Sequence, residues 1–274
     1  MNTSFNTRFR QTLAARRSLL CVGLDPEMEK LPAGLPRTPQ GLVQFCREII
    51  AATAQYAAAF KVNFAFFEGL GNAGWEALAQ VAAALPNEVI RIADAKRGDI
   101  GNTARLYAAA VFRELPFDAL TASPYLGEDA AEPFLADEMK GVFFLCRTSN
   151  PGSASVQLFP QQEQPLYLHV AREVMRWNRK ENAGLVVGAT QTVELERVRR
   201  ECPALPFLIP GVGAQGGDLA SAVRLGGGAN GDLAVINASR TIMYAARDQH
   251  FAEAAGKEAE RLQREMQRLL ATPA

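Results

Sequence analysis

The chain has 274 residues, 29 basic against 29 acidic side chains, 48% hydrophobic and 21% charged residues. Balanced charge excludes the positive field that draws nucleic acid or anionic lipid, and this much apolar content excludes a disordered chain. No run of roughly 18 apolar residues is available to span a membrane, and "MNTSFNTRFRQTL" lacks the apolar centre of a secretory leader. A cytoplasmic protein with neither a nucleic-acid nor a membrane partner is expected.

In chain order, eight short apolar runs read as strands: "SLLCVGLD" (18–25), "AAFKVNF" (58–64), "VIRIADAK" (89–96), "DALTAS" (118–123), "GVFFLCRT" (141–148), "GLVVGAT" (184–190), "PFLIPGV" (206–212) and "LAVINAS" (233–239). Between them lie the amphipathic patterns "GLVQFCREIIAATAQYA", "WEALAQVAAAL", "NTARLYAAAVFREL", "LYLHVAREVMRWN", "TVELERVRREC" and "DLASAVRL". A long final helix runs through "AAGKEAERLQREMQRLLA", whose charges read as a solvated face. Eight alternations without a Ser/Gly/Pro-rich linker predict an α/β protein, one closed (β/α)8 TIM barrel over residues 1–274. The runner-up is an open doubly wound sheet, but no G-x-G-x-x-G follows the first strand.

One connection is longer than the rest, "SNPGSASVQLFPQQEQP", Ser149 to Pro165. A loop of that length after a barrel strand reads as a lid. Cys21, Cys46, Cys146 and Cys202 are scattered without C-x-x-C spacing, and His169 and His250 lie far apart. Neither a zinc site nor any other metal or cofactor is expected; Cys21 and Cys146 read as small core hydrophobes.

Ionisable residues gather where strands end. In the third run Asp94 and Lys96 share parity, so alternation points them the same way, their backbones roughly 6.5–7 Å apart. Asp99 follows past Gly98. The first run ends on Asp25, in parity with Cys21 and Gly23, and the second carries Lys61 and Asn63 in parity. Asp25, Lys61, Asn63, Asp94 and Lys96 would therefore face one mouth of the barrel. Two carboxylates interleaved with two ammonium groups can keep their charges under partial burial, and lysine is then the available general acid. Surface ion pairs are the bland alternative for any single residue, and five together favour a site.

After the seventh run comes "PGVGAQGGD", with Gly211, Gly213, Gly216 and Gly217, and after the eighth comes "NASRTI" with Arg240. In parallel barrels these two loops commonly hold phosphate through backbone N–H groups, and Arg240 adds a forked donor. "GGGANG" (226–231) reads as an ordinary loop.

At this point the residues resemble a known family. "DAKRGDIGNT" is similar to the D-x-K-x-x-D-I-x-x-T signature of the orotidine 5′-phosphate decarboxylase family, with "LDP", "FKVN", "PGVGAQGGD" and "ASR" in that family's order around it. "SPYLGEDA" and "CRTSNPGS" resemble its longer bacterial branch. The resemblance implies conversion of orotidine 5′-phosphate to uridine 5′-phosphate and carbon dioxide in de novo pyrimidine synthesis, without a cofactor. It implies that Asp25 and Lys61 bind ribose hydroxyls, that Lys96 protonates C6, and that Asp94 lies against the substrate carboxylate. Asp99, Ile100 and Thr103 would reach the active site of a second copy in a homodimer. Ser149 would meet the pyrimidine, and Gln215 with Arg240 would close over the phosphate. Ser123 stands where many relatives carry Asn, and no role is assigned to it. The rivals are a magnesium-dependent sugar-phosphate enzyme of the same superfamily, for which Lys61 stands where a carboxylate is needed, a non-catalytic sensor of a nucleotide or sugar phosphate, and an aldolase using Lys96 as a Schiff-base amine.

Overall fold

The structure, a computed structural model, describes residues 3–160, 164–213, 216–228 and 231–271. Eight parallel strands close a barrel in chain order: β1 (Leu20–Leu24), β2 (Ala59–Asn63), β3 (Ile90–Arg97), β4 (Ala119–Ala122), β5 (Gly141–Arg147), β6 (Ala183–Val187), β7 (Phe207–Pro210) and β8 (Ala234–Ala238). The eighth pairs with the first, setting Cys21 opposite Asn237. Each expected run overlaps one strand, with β3 continuing one residue past its run to Arg97 and β6 beginning one residue before its run at Ala183. Most runs overrun their strand by one to three residues, because ladder pairing stops before the chain turns toward the helix. The open-sheet alternative is ruled out by closure.

Helices Pro39–Thr53, Asn72–Ala83, Gly101–Ala109, Leu166–Trp177, Thr192–Glu201, Leu219–Gly226 and Phe251–Ala271 cover the barrel. The third of these passes into a π-helical turn, Ala110–Glu114. After β4 the cover is reduced to one turn, Glu128–Ala131. The final helix packs on Pro39–Thr53 and on Leu219–Gly226, and its outer face carries pairs such as Lys257–Glu253 and Arg261–Glu265, the solvated face expected of it. Gly226, expected in a loop, instead ends a helix, where an added Cβ would lie 2.1 Å from Ile209.

A further helix, Phe5–Arg16, was not expected from sequence. Ser4 caps it by accepting the Thr7 N–H, and its apolar residues form the narrow stripe Phe5, Phe9 and Leu13, all buried. That stripe stoppers the N-terminal end of the barrel: the rings of Phe5 and Phe9 lie 6.0 and 6.1 Å from that of Phe143. Gly141 opens β5 directly beneath, where a Cβ would come 2.3 Å from the Phe5 ring, so the close approach requires glycine. Beside it, the Asp118 carboxylate accepts from Arg8 at 3.0 Å and from Arg91 at 2.8 and 3.1 Å. Burial alone would raise the Asp118 carboxyl; its bonds to Arg91 and the charge of Arg8 hold it below the usual range.

Candidate active site

At the opposite, C-terminal mouth the strands bring together a cavity of about 250 Å³. Asp25, Lys61, Asn63, Asp94, Lys96, Ser149, Gly211 and Arg240 line it, as read from sequence. The charged members form a chain in space. Lys61 Nζ lies 3.5 Å from Asp25 and donates to Asp94 Oδ2 at 2.9 Å, while Lys96 Nζ donates to Asp94 Oδ1 at 2.7 Å. Register explains the arrangement: Lys61 sits beside Gly23 on β1 and Ile92 on β3, and Asn63 sits beside Asp94.

Burial alone would push the Lys61 ammonium down, but Asp94 and Asp25 outweigh it and hold that group well above an ordinary lysine. The converse holds for Asp94: burial would raise its carboxyl, and the neighbouring ammonium groups of Lys61 and Lys96 hold it far below the usual carboxylate range. Both charges thus persist in a low-dielectric site because each has an opposite neighbour. Burial pushes the Cys21 thiol beneath them up to about 12, against the opposing pull of Lys61, so it stays neutral as expected. Lys61 is enclosed, with 5% of its side chain exposed, whereas Lys96 keeps 51% and projects into the cavity.

Strand alternation does not deliver Lys96 to that place. Between Ala93 and Arg97 the β3–β4 register shifts, four steps on one strand against two on the other, and Lys96 adopts a left-handed backbone with φ 47°. The ammonium still meets Asp94, by way of a bulge. Thr121 of β4 stands opposite, accepting the Lys96 N–H at 3.0 Å and donating to Asp94 Oδ1 at 2.9 Å. Thr121, Asn237 and Ser239 line the cavity and were not singled out from sequence. A threonine within "DALTAS" is ordinary strand composition, and only the β3–β4 register reveals its neighbours.

In the loop after β7, Gly213 and Gly216 have φ of 77° and 80°, conformations that call for glycine. A Cβ on Gly217 would lie 2.6 Å from the Gly211 carbonyl oxygen. Within the loop, Gly216 donates to Gly213 at 2.8 Å, Gly217 to Gly211 at 3.0 Å and Gly213 to Gly217 at 3.4 Å. The glycines shape the loop with their own bonds, and Arg240 supplies the positive charge at this end of the cavity. Gln215 lies outside the described residues.

The first part of the long connection after β5, as far as Gln157, folds back on its root. Arg147, 4% exposed, donates to Ser153 at 2.6 Å, Gln191 at 2.8 Å, Thr148 O at 2.9 Å and Gln157 at 3.2 Å, and pairs with Glu194. Short turns at Pro151–Ser153 and Ala154–Gln157 result. Arg147 reads in sequence only as the polar end of a strand. Asp99, Ile100 and Thr103 do not line the cavity of their own chain: Asp99 is half-buried, Thr103 exposed and Ile100 60% exposed. Among the described residues no group of three or more His, Cys, Asp or Glu side chains is placed to hold a metal, and no helix is long and apolar enough to cross a membrane.

A closed parallel barrel with an alternating carboxylate and ammonium array lining a cavity at its C-terminal mouth defines a barrel of the enzyme class. The model of the Orotidine 5′-phosphate decarboxylase / HUMPS family matches residues 18–255. An orotidine 5′-phosphate decarboxylase of Dehalococcoides mccartyi is 50% identical over 262 residues, covering 94% of this chain and 95% of the relative. One from Thermomicrobium roseum is 48% identical over 269 residues, covering 97% and 96%. The solved OMP decarboxylase of Leishmania donovani superposes with a TM-score of 0.87 at 40% identity, covering 98% of this chain and all of that one. This chain belongs to the orotidine 5′-phosphate decarboxylase / HUMPS family.

Proposed function

We propose that the chain, acting as one catalytic domain over residues 1–274, is a cofactor-independent carboxy-lyase that converts orotidine 5′-phosphate to uridine 5′-phosphate and carbon dioxide in de novo pyrimidine synthesis. The observation that carries this reading is the unbroken Asp25, Lys61, Asp94, Lys96 chain facing one cavity. The printed names of its relatives support the substrate.

Loss of carbon dioxide from C6 leaves a vinyl carbanion with no carbonyl placed to delocalise it, so fixed charge and a proton donor must stabilise it. Lys96 supplies both, and its side chain is the most exposed of the array, 51% against 5% for Lys61. Asp94, kept ionised by two lysines, sets a negative charge against the departing carboxylate. Asp25 and Lys61 bind the ribose hydroxyls, Asn63 and Ser149 contact the substrate, and Arg240 with Gln215 takes the phosphate. Lys61 already supplies a cation between Asp25 and Asp94, which favours this reading over the magnesium-dependent sugar-phosphate rival.

The protein acts as a homodimer with shared sites, Asp99, Ile100 and Thr103 entering the partner's cavity. Exposed Ile100, Leu106 and Tyr107, on and just before one helix, support a self-interface there. Four free, buried cysteines suit a reducing cytoplasm.

The direct test is the fall in ultraviolet absorbance of orotidine 5′-phosphate with EDTA-treated protein and no added cofactor. Rapid loss is expected; no loss, with turnover appearing only on a sugar phosphate with magnesium, would overturn the reading. Sharing of sites is tested by mixing unfolded and refolded Lys96→Ala and Asp99→Ala chains. Random pairing gives one intact site per mixed dimer, hence recovery of about a quarter of native activity. No recovery would place Asp99 in its own subunit's site, and an Asp99→Ala chain active by itself would place Asp99 outside the chemistry.

A further inference from the structure

The bulge in β3 poses a problem that only β4 resolves. Lys96 has a positive φ of 47°, a conformation costly to a β-carbon-bearing residue that persists only where its surroundings fix it. The register shift between Ala93 and Arg97 also takes the Lys96 N–H out of the regular ladder. A side chain meets it instead: Thr121 Oγ1 accepts that N–H at 3.0 Å.

The same hydroxyl has one proton, and it goes to Asp94 Oδ1 at 2.9 Å, the oxygen that also accepts Lys96 Nζ at 2.7 Å. Lys96 N–H, Thr121 hydroxyl, Asp94 carboxylate and Lys96 ammonium therefore close a ring. Its donors and acceptors are consistent at every link, and Thr121 is 1% exposed, so water does not compete for the hydroxyl. Both ends of Lys96, backbone and ammonium, are referred to one threonine and one carboxylate.

We infer that Thr121 is a positioning residue for the reaction, holding the left-handed backbone of Lys96 and the orientation of Asp94 so that the ammonium is aimed before substrate arrives. A lysine half in solvent has many rotamers, and fixing its root and its tip selects the few that point into the cavity. The inference rests on the decarboxylase reading and extends it to the fourth strand, to which that reading gives no role.

The test compares wild type, Thr121→Val and Thr121→Ser. Valine keeps the branched shape and loses the hydroxyl; serine keeps the hydroxyl. With orotidine 5′-phosphate, Thr121→Val is expected to lose roughly tenfold to a hundredfold in kcat, the scale of a small misplacement of a reacting group, with KM and the affinity for uridine 5′-phosphate nearly unchanged. Thr121→Ser should restore most of kcat. Should the valine variant fail to fold, Thr121→Ser and Thr121→Cys, nearly equal in bulk, give the same contrast, with serine active and cysteine impaired.

A Thr121→Val enzyme with native kcat overturns the inference, as does a loss that serine does not restore or that appears equally in ligand affinity. Those outcomes leave the decarboxylase reading intact, because the wild type still turns over. A wild type inert toward orotidine 5′-phosphate would overturn both.

Discussion

The barrel has a buried charge cluster at each end, and the two are built differently. At the N-terminal end one carboxylate, Asp118, is saturated by Arg8, by Arg91 and by the Arg91 backbone N–H at 2.9 Å. At the C-terminal mouth two carboxylates alternate with two lysines around a cavity, and one of those lysines stays half exposed. Guanidinium groups, which keep their proton at any ordinary pH, suit a permanent clasp; ammonium groups can give up a proton and suit chemistry. Buried charge by itself therefore does not mark a site. An incompletely enclosed, exchangeable donor beside a cavity does.

The largest effect expected from breaking this contrast is Lys96→Ala. Turnover should fall by about 10³-fold or more, while the melting temperature stays near that of wild type because the lysine tip is half solvated. Near-normal activity would remove Lys96 from the chemistry. Next, Arg240→Ala should raise KM for orotidine 5′-phosphate by about tenfold to a hundredfold, the scale of one charge-assisted contact, with a smaller change in kcat. Steady-state kinetics would show it, and an unchanged KM would place the phosphate elsewhere.

At the other end the pattern should invert. Asp118→Ala leaves two guanidiniums without their partner and should cost roughly 2–3 kcal/mol in urea unfolding, with kcat at 25 °C unaltered. A loss of kcat with stability intact would mean that the two ends are coupled. The smallest effect is on pH dependence. Asp94, depressed below its ordinary 3.8, contributes stability that is fully present above that pH and is lost as pH falls through its folded value. Lys61, raised above 10.5, contributes stability that is present below that pH and is lost as pH rises through its folded value. Denaturation curves should thus show a plateau between these limits, and Asp94→Asn should flatten the acid limb; an identical acid limb would contradict the assignment.

Helix Phe5–Arg16 illustrates a signal present in the sequence and overlooked. Ser4 and the stripe Phe5, Phe9 and Leu13 have cap and helical spacing, but the nine other residues of the helix, mostly polar, surround that stripe. A stopper helix needs only one narrow contact, so its amphipathicity is weak. Arg147 and Thr121 differ in kind, because nothing local to either residue specifies its partners.

The sequence by itself determined the eight strands, the order in which they alternate with helices, and the placing of Asp25, Lys61, Asn63 and Asp94 at one mouth. Hydrophobic period and parity are local properties that a linear chain carries in full. Only the tertiary structure decided how Lys96 reaches Asp94, that Thr121 bonds both, that Arg147 ties Ser153 and Gln157 to the end of β5, and that Gly213, Gly216 and Gly217 donate their N–H groups within their own loop. Each of those depends on the register between neighbouring strands or on a bulge within one. Such pairings are settled when the barrel closes, by which N–H and C=O groups are left for side chains to satisfy.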